Sequence, residues 1–271
     1  MIAGEVSKKR LVPLAATFAA IYGTLKLVPI SVWIGASGRV FTATEFVAPL
    51  LGIMLGPYAG SVAAVVGTFV SIVFTGRMNF FGLDFLPVTV NALVLGLMMR
   101  KRWLLSGLLY SALLVLFFVH PWTLHFISVP LLNGAIELPF VWLHILAWLL
   151  LLSPLGRKSV DWISGRTVSK ATAAAFLLTL VGTTAQHLTG TLLFASMAGP
   201  LMGITPEKLA LGWAAVFYVY PVERLIVVLA ATLITAAVVK ATKATGLFRA
   251  DAEIPKPVKD GRPEKPVRTE T

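Results

Sequence analysis

The 271-residue sequence contains no cysteine, which excludes disulfide bonds and thiolate metal ligands. Charged residues are scarce as well, at 13%, whereas a soluble domain has about 25%. The sequence also lacks the HExxH zinc motif, the GxSxG nucleophile elbow and the GxxxxGK[ST] phosphate loop. We therefore expect neither an enzyme nor a cofactor-binding protein, and any ATP-driven step would need another chain.

Apolar residues are abundant, at 57%, and they form runs too long and too continuous for a soluble core. The sequence predicts an all-α integral membrane protein, a polytopic bundle of about eight transmembrane helices. The predicted helices cover residues 11–34, a pair within 45–75, and then 83–99, 103–119, 130–152, 171–197 and 209–239. This transmembrane domain, 11–240, lies between a cytoplasmic N-terminus, 1–10, and a cytoplasmic tail, 241–271, which its Pro-rich charged composition predicts to be disordered.

The stretch from Glu45 to Gly67 is apolar apart from its first residue and is interrupted at Gly56-Pro57. Proline lacks the backbone donor that would continue the preceding helix. The stretch therefore predicts a short helix to Leu55, a tight turn and a second helix packed through glycine and alanine. A helix that short cannot by itself cross the roughly 30 Å hydrocarbon core, and such helices are often found where a membrane protein encloses a cavity.

The net charge of +11 comes from short basic clusters between the apolar runs. These clusters are Lys8–Arg10, Arg100–Arg102, Arg157–Lys170 and Lys240–Arg249. With eight crossings they all fall on one side of the membrane, which the positive-inside rule makes cytoplasmic. The pattern predicts a multi-pass protein of the plasma membrane with both termini in the cytoplasm, and it does not indicate a nucleic-acid partner.

Polar residues within membrane helices are costly and usually have a function or a partner. Most of those here fall in the outer half of the predicted bundle, which suggests a pocket open to the outside. The candidate substrate contacts are Trp33, Asn91, Asn133, Glu137, Gln186, His187, Tyr220, Glu223 and Arg224. Asn133 and Glu137 are four residues apart, so on the predicted sixth helix they share one face.

Alternative roles remain open for several of these residues. Glu223 and Arg224 either contact a ligand or belong to structural ion pairs, one of them with Glu137. Trp33 is either an interfacial anchor or part of a lid with the glycine-bearing loop that follows it. His120, His125 and His144 are better explained as interfacial or structural residues than as metal ligands, because none has a partner at ligand spacing.

Ala15, Ala16, Ala19 and Ala20 form a doubled small-xxx-small pattern on the first helix. Such patterns let another helix approach closely. The neighbouring helix could belong to the same chain or to a partner protein.

The first hundred positions resemble the substrate-binding (S) component of energy-coupling factor (ECF) vitamin transporters. The shared features are a basic N-terminus, the alanine-rich first helix and an outer loop ending near Thr44-Glu45-Phe46. The segment Pro49–Gly60, a Gly/Ala-rich third helix and a fourth helix that ends at Arg100-Lys101-Arg102 follow in family order. The second half departs from the family, which usually has six membrane helices, so the eight predicted here would be a core of six plus two.

The resemblance implies a membrane protein that captures a vitamin-like micronutrient from outside. It also implies three protein partners: a transmembrane coupling subunit, which docks on the small residues of the first helix, and two cytoplasmic ATPases that drive inward release. The N-terminal Met-His-His of the nickel and cobalt relatives is missing, which argues against a metal substrate. Two other hypotheses stay open: a proton-coupled secondary transporter using Glu137, Glu223 or His187, and a membrane scaffold with no open pocket.

Overall fold

The computed structural model of the protein describes residues 8–32, 40–132 and 134–245. The helices are α1 Lys8–Leu25, α2 Ala48–Thr75, α3 Leu86–Met99, α4 Trp103–Val119, α5 Trp142–Leu152, α6 Pro154–Ile163, α7 Val168–Ala198 and α8 Pro206–Ala244, with a 3-10 helix at Ala43–Phe46. Two antiparallel hairpins complete the fold: β1 Pro29–Val32 pairs with β2 Val40–Thr42, and β3 Phe126–Leu131 pairs with β4 Gly134–Pro139. Residues 1–7 and 246–271 lie outside the described residues, whereas residues 241–244, placed by prediction in the disordered tail, are the end of helix α8.

The outside of the bundle is strongly apolar. Val73, Phe74, Leu104 and Leu211 are 82, 79, 74 and 73% exposed. By length and composition, α2, α7 and α8 could each cross a membrane, and only 33% of the apolar window in α2 and in α8 is buried inside the protein. Helices that turn large apolar side chains outward are typical of proteins surrounded by lipid. The structure thus agrees with a helical membrane protein, while eight crossings stay a prediction.

Helix α2 consists of two parts that meet at Gly56, whose backbone is non-helical at φ 78° and ψ −176°. A side chain at Gly60 would begin 2.4 Å from the Leu51 carbonyl oxygen, so the two parts are in close contact. The predicted short helix, tight turn and second helix are confirmed. Helix α3 packs directly against this turn, because a Cβ at Gly96 would lie 2.2 Å from the Pro57 nitrogen.

The predicted sixth helix, 130–152, is wrong in its first half. Residues from Phe126 to Pro139 belong to the β3–β4 hairpin, and the helix begins only at Trp142. Branched residues such as Ile127 and Ile136 favour strands, and Gly134 has φ 151°, a conformation that side chains rarely allow. The Asn-Gly pair at 133–134 was the missed sequence signal, since it is typical of hairpin turns.

The first predicted helix, 11–34, also ends early, at Leu25. Proline disfavours a helical conformation in the residue before it, and Pro29 instead opens β1 and pairs with Thr42. Helix α8 begins at Pro206, three residues before the predicted start at 209: the Thr205 hydroxyl caps it by accepting a hydrogen bond from the Lys208 amide at 3.5 Å, and Pro206 occupies the first turn. The helix is continuous through Pro221.

One end of the bundle carries several of the basic clusters, and we call it the basic end. The Lys101 ammonium lies 2.8 Å from a carboxylate oxygen of Asp161 on α6. The Lys243 ammonium, near the end of α8, donates to the carbonyls of Ile163 at 2.6 Å and Gly165 at 3.2 Å. Helix α6 lies in the predicted connection between residues 152 and 171. It is amphipathic: it buries Val160 and Ile163 and exposes Arg157, Lys158 and Asp161.

The small residues of α1 divide between two faces. Ala19 is 6% exposed and packs on α2, where a Cβ at Gly67 would lie 2.6 Å from its carbonyl oxygen. Ala15 is half-buried against the same buried apolar residues that surround Ala19, whereas Ala16 and Ala20 are exposed. Packing within the chain therefore accounts for Ala15 and Ala19 but not for Ala16 and Ala20.

Candidate ligand-binding site

The end of the bundle opposite to the basic end contains a pocket of about 180 Å³. Its walls come from the end of α1, β2, the 3-10 helix, the loop 76–85, α3, α7 and α8. An engineered apolar cavity of roughly 150 Å³ holds benzene, so this pocket has room for a ring-sized group and somewhat more.

Glu45 is the centre of a buried polar network at this pocket. One of its carboxylate oxygens accepts from the Gln186 amide at 2.8 Å, and the other accepts from the Arg224 guanidinium at 2.9 Å. The Gln186 amide oxygen in turn accepts from Asn91 of α3 at 2.8 Å. This network joins the 3-10 helix, α3, α7 and α8, and a buried charge needs such partners because it has lost its water.

The Arg224 side chain is 1% exposed, yet its hydrogen bonds are incomplete. Its Nη1 atom donates to Glu45, whereas Nε and Nη2 have no hydrogen-bond acceptor within the described part of the chain. Glu223 lies 3.8 Å from Nη2, close enough for an ion pair but too far for a hydrogen bond. Nε and Nη2 form one edge of the guanidinium, the geometry that binds a carboxylate with two parallel hydrogen bonds. The Phe41 ring covers the guanidinium, with its centroid 4.3 Å from the central carbon.

Aromatic rings form another wall. Tyr220 stacks on His187 with ring centroids 5.3 Å apart and on Phe140 at 5.2 Å. His187 also stacks on the buried His144, and their facing nitrogens lie 3.0 Å apart. The Tyr220 hydroxyl donates to the Phe140 carbonyl at 2.6 Å, which fixes the ring. Of these rings, His187 and Tyr220 line the pocket, and aromatic rings in a pocket wall suit a planar ligand.

Replacing Tyr220 by phenylalanine tests this anchoring bond. Tyr220→Phe keeps the stacked ring but leaves the Phe140 carbonyl without its donor. We expect a loss of about 1–2 kcal/mol in the free energy of unfolding. Thermal unfolding in mild detergent measures it, with Tyr218→Phe on the exposed side of α8 as the control. Equal free energies of unfolding for the two variants would mean that the Tyr220–Phe140 hydrogen bond contributes nothing to stability.

Three further charged residues, Lys26, Asp84 and Lys208, line the pocket without being among the candidate contacts. Asp84 accepts hydrogen bonds from the backbone amides of Asn79 and Phe80 at 2.7 and 3.0 Å, so it holds the loop 76–85 in shape. Burial lowers the pKa of Lys26, which follows the end of α1, while Asp84 and Glu45 oppose that effect.

The structure brings five of the nine candidate contacts to the pocket: Gln186, His187, Tyr220, Glu223 and Arg224. Asn91 lies one step behind them, hydrogen-bonded to Gln186. Glu137 does not line the pocket; it is exposed on β4, opposite Ser128, and does not share a helix face with position 133. Trp33 and Asn133 lie outside the described residues. That any of these residues contacts a substrate stays a prediction.

Sequence reasoning missed the residue at the centre of the network. The pairing considered for Glu223 or Arg224 was with Glu137, but Arg224 pairs with Glu45, 179 residues away in the chain. A signal for Glu45 was present, because it is the one charged residue in the apolar stretch from 45 to 67.

No known protein family, curated protein or solved structure matches this chain.

Proposed function

We propose that this protein is the substrate-capture membrane subunit of an ECF-type importer, which binds a vitamin-like small molecule from outside and releases it inward. A transmembrane coupling subunit and two cytoplasmic ATPases would drive that release. The proposal rests on the resemblance of the first hundred residues and on the pocket. It includes eight crossings of the plasma membrane with the basic end in the cytoplasm, where Lys101 and Lys243 already meet α6.

The observation that carries the proposal is the incomplete bonding of Arg224 at the pocket. A buried guanidinium whose Nε and Nη2 find no acceptor among the described residues is costly for a protein that needs only a stable core. A ligand carboxylate or similar planar oxyanion would complete it, while the Tyr220–His187 stack would hold a ring. Both nitrogens are buried, so a neighbouring group has to move before a ligand can reach them. The Phe41 ring, which covers the guanidinium, is placed to make that movement.

The direct test is to purify the protein in mild detergent and identify by mass spectrometry any small molecule that is released on denaturation. We expect a planar compound with at least one carboxylate or comparable anionic group. That compound should raise the melting temperature of the wild type, because a ligand of the native state stabilises it.

Variants then test the site. Arg224→Lys keeps a positive charge but cannot form two parallel hydrogen bonds, so we expect binding to weaken at least about tenfold. Glu137→Ala, a charge removed from the exposed hairpin, is the matched control and should bind as the wild type does. Normal binding by Arg224→Lys would contradict the site, and a loss in Glu137→Ala would shift attention to the hairpin.

Partner docking is tested on the outward face of α1. Ala16→Trp and Ala20→Trp should abolish co-purification with a coupling subunit, because a bulky ring prevents close helix approach. Val73→Trp, at an 82% exposed position of α2, adds the same ring to another outward face and should leave co-purification intact. Equal recovery with all three variants would rule out docking through α1.

A proton-coupled secondary transporter is the second candidate. It is favoured by the buried His144–His187 contact at 3.0 Å beside a Glu45–Arg224 pair, since linked ionisable groups within a membrane protein are typical of proton pathways. It predicts uptake into vesicles that contain this protein alone and an imposed proton gradient. The ECF proposal predicts none without its partners.

A further inference from the structure

A second cavity lies on the outside of the bundle, between α6, α7 and α8. It is an open groove of about 660 Å³. Its lining is Leu155 and Trp162 from α6, Thr172, Ala173, Phe176 and Leu177 from α7, and Leu229, Thr232 and Leu233 from α8. The Thr232 hydroxyl is already bonded, to the Val228 carbonyl and to Thr179. The groove therefore offers an almost entirely apolar surface.

The groove leads toward the basic end, and the register of α7 and α8 shows where its charged border lies. The hydroxyls of Thr179 and Thr232 are 2.9 Å apart. Lys170 precedes Thr179 by nine residues and Lys240 follows Thr232 by eight, so at 1.5 Å per residue both lie roughly 12–14 Å from that contact. The two antiparallel helices thus carry a lysine at about the same level.

These lysines are also on the groove side of their helices: Lys170 lies three residues before the groove-lining Ala173, on the same face of α7. Lys240 lies seven residues after Leu233, two turns along the same face of α8. On α6, Lys158 lies three residues after Leu155 and four before Trp162, so it shares their face. All three lysines are exposed, and the nearby Asp161 already pairs with Lys101 at 2.8 Å.

We propose that this groove binds a phospholipid with an anionic head group. An acyl chain would lie along Phe176 and Leu229, and the phosphate would sit among Lys158, Lys170 and Lys240. Basic pockets between membrane helices are suited to anionic head groups, and each nearby lysine adds to the attraction. A partner helix is less well matched, because close helix contacts need small residues and six of the nine residues that line this groove are Leu, Phe or Trp.

Native mass spectrometry of the detergent-purified full chain tests the proposal, with phosphatidylglycerol compared with phosphatidylcholine of the same acyl chains. We expect phosphatidylglycerol to bind at least about tenfold more tightly. The triple variant Lys158→Gln/Lys170→Gln/Lys240→Gln should lose that preference, whereas the triple Lys→Arg variant should keep it. Equal binding of the two lipids by the wild type, as expected of a detergent-like apolar surface, would overturn the proposal.

The control removes the same charge elsewhere. Arg77→Gln/Arg100→Gln/Arg102→Gln changes three exposed arginines that lie outside α6, α7 and α8 and should retain the preference for phosphatidylglycerol. A second variant, Ala173→Trp, fills the groove without changing any charge and should weaken binding at least about tenfold. Because Ala173→Trp keeps all three lysines, it tests the groove even if the triple Lys→Gln variant does not fold. Unchanged binding by Ala173→Trp would show that the lipid lies outside the groove.

Discussion

Glu45→Gln and Arg224→Gln will each lower the free energy of unfolding by about 3–5 kcal/mol, the cost of leaving one partner of a buried ion pair uncompensated. The 2.9 Å bond between them joins two side chains that are 11% and 1% exposed. Removing Arg224 leaves Glu45 with the Gln186 amide alone, and removing the Glu45 charge leaves a guanidinium with no hydrogen-bonded carboxylate. These two variants should therefore be among the most damaging single changes in this pocket.

The double variant distinguishes a lost pair from two unrelated defects. With both charges gone, neither partner remains unpaired, so we expect Glu45→Gln/Arg224→Gln to cost clearly less than the sum of the single variants. Thermal unfolding of the wild type, the two single variants and the double variant in the same detergent gives the four values of this double-mutant cycle. An additive result would mean that the two side chains do not stabilise each other.

A matched pair on the surface supplies the control. Lys101 and Asp161 are separated by a similar 2.8 Å, but their side chains are 51% and 65% exposed. Water already solvates both charges, so Lys101→Gln should change the free energy of unfolding by no more than about 1 kcal/mol. If Lys101→Gln lowered the free energy of unfolding as much as Arg224→Gln does, burial would not be the cause of the large loss at Arg224.

Gly96→Ala will prevent normal packing of α3 on the Gly56-Pro57 turn. The added Cβ would lie 2.2 Å from the Pro57 nitrogen and 2.5 Å from its Cα, and these are backbone atoms that no rotamer change can move away. Forcing an extra methyl into a packed interior costs typically 1–3 kcal/mol, and we expect this position at or above the upper end. The observable result is a sharp fall in the yield of folded, monodisperse protein.

Gly212→Ala is the control for this prediction. It makes the same change on helix α8, where a new Cβ would meet no heavy atom within 4 Å. Alanine favours the helix over glycine by about 1 kcal/mol, so Gly212→Ala should melt at the same temperature or slightly higher. Similar losses in both variants would point to a general intolerance of helix changes rather than to the contact at Pro57.

Local sequence information predicted much of the helical framework. The fifth predicted helix matches α4, Trp103–Val119, because a continuous apolar run with clear polar ends leaves little choice. The start of α8 at Thr205-Pro206 follows equally local rules, since capping depends on neighbouring residues. The helix predicted over 130–141 is wrong, because apolar content alone does not distinguish a strand from a helix, whereas the Asn-Gly pair favours a hairpin turn.

The candidate site was only partly predictable. Polar residues in apolar segments drew attention to Gln186, His187, Tyr220 and Arg224, and the pocket contains them all. Glu137 drew the same attention for the same reason, yet a hairpin turns it away from the pocket. Composition indicates that a polar residue needs a partner, but it carries no information about which one.

Apolar helices, their basic connections and the break at Gly56-Pro57 are all predictable from the sequence, because each of these features depends on composition or on adjacent residues. Three features depend on the packed fold alone: Glu45 pairs with Arg224, Gln186 and Asn91 extend this pair, and α6, α7 and α8 enclose one apolar groove. These arrangements join residues up to 179 positions apart, and contacts at that separation follow from how helices pack, which no local pattern encodes.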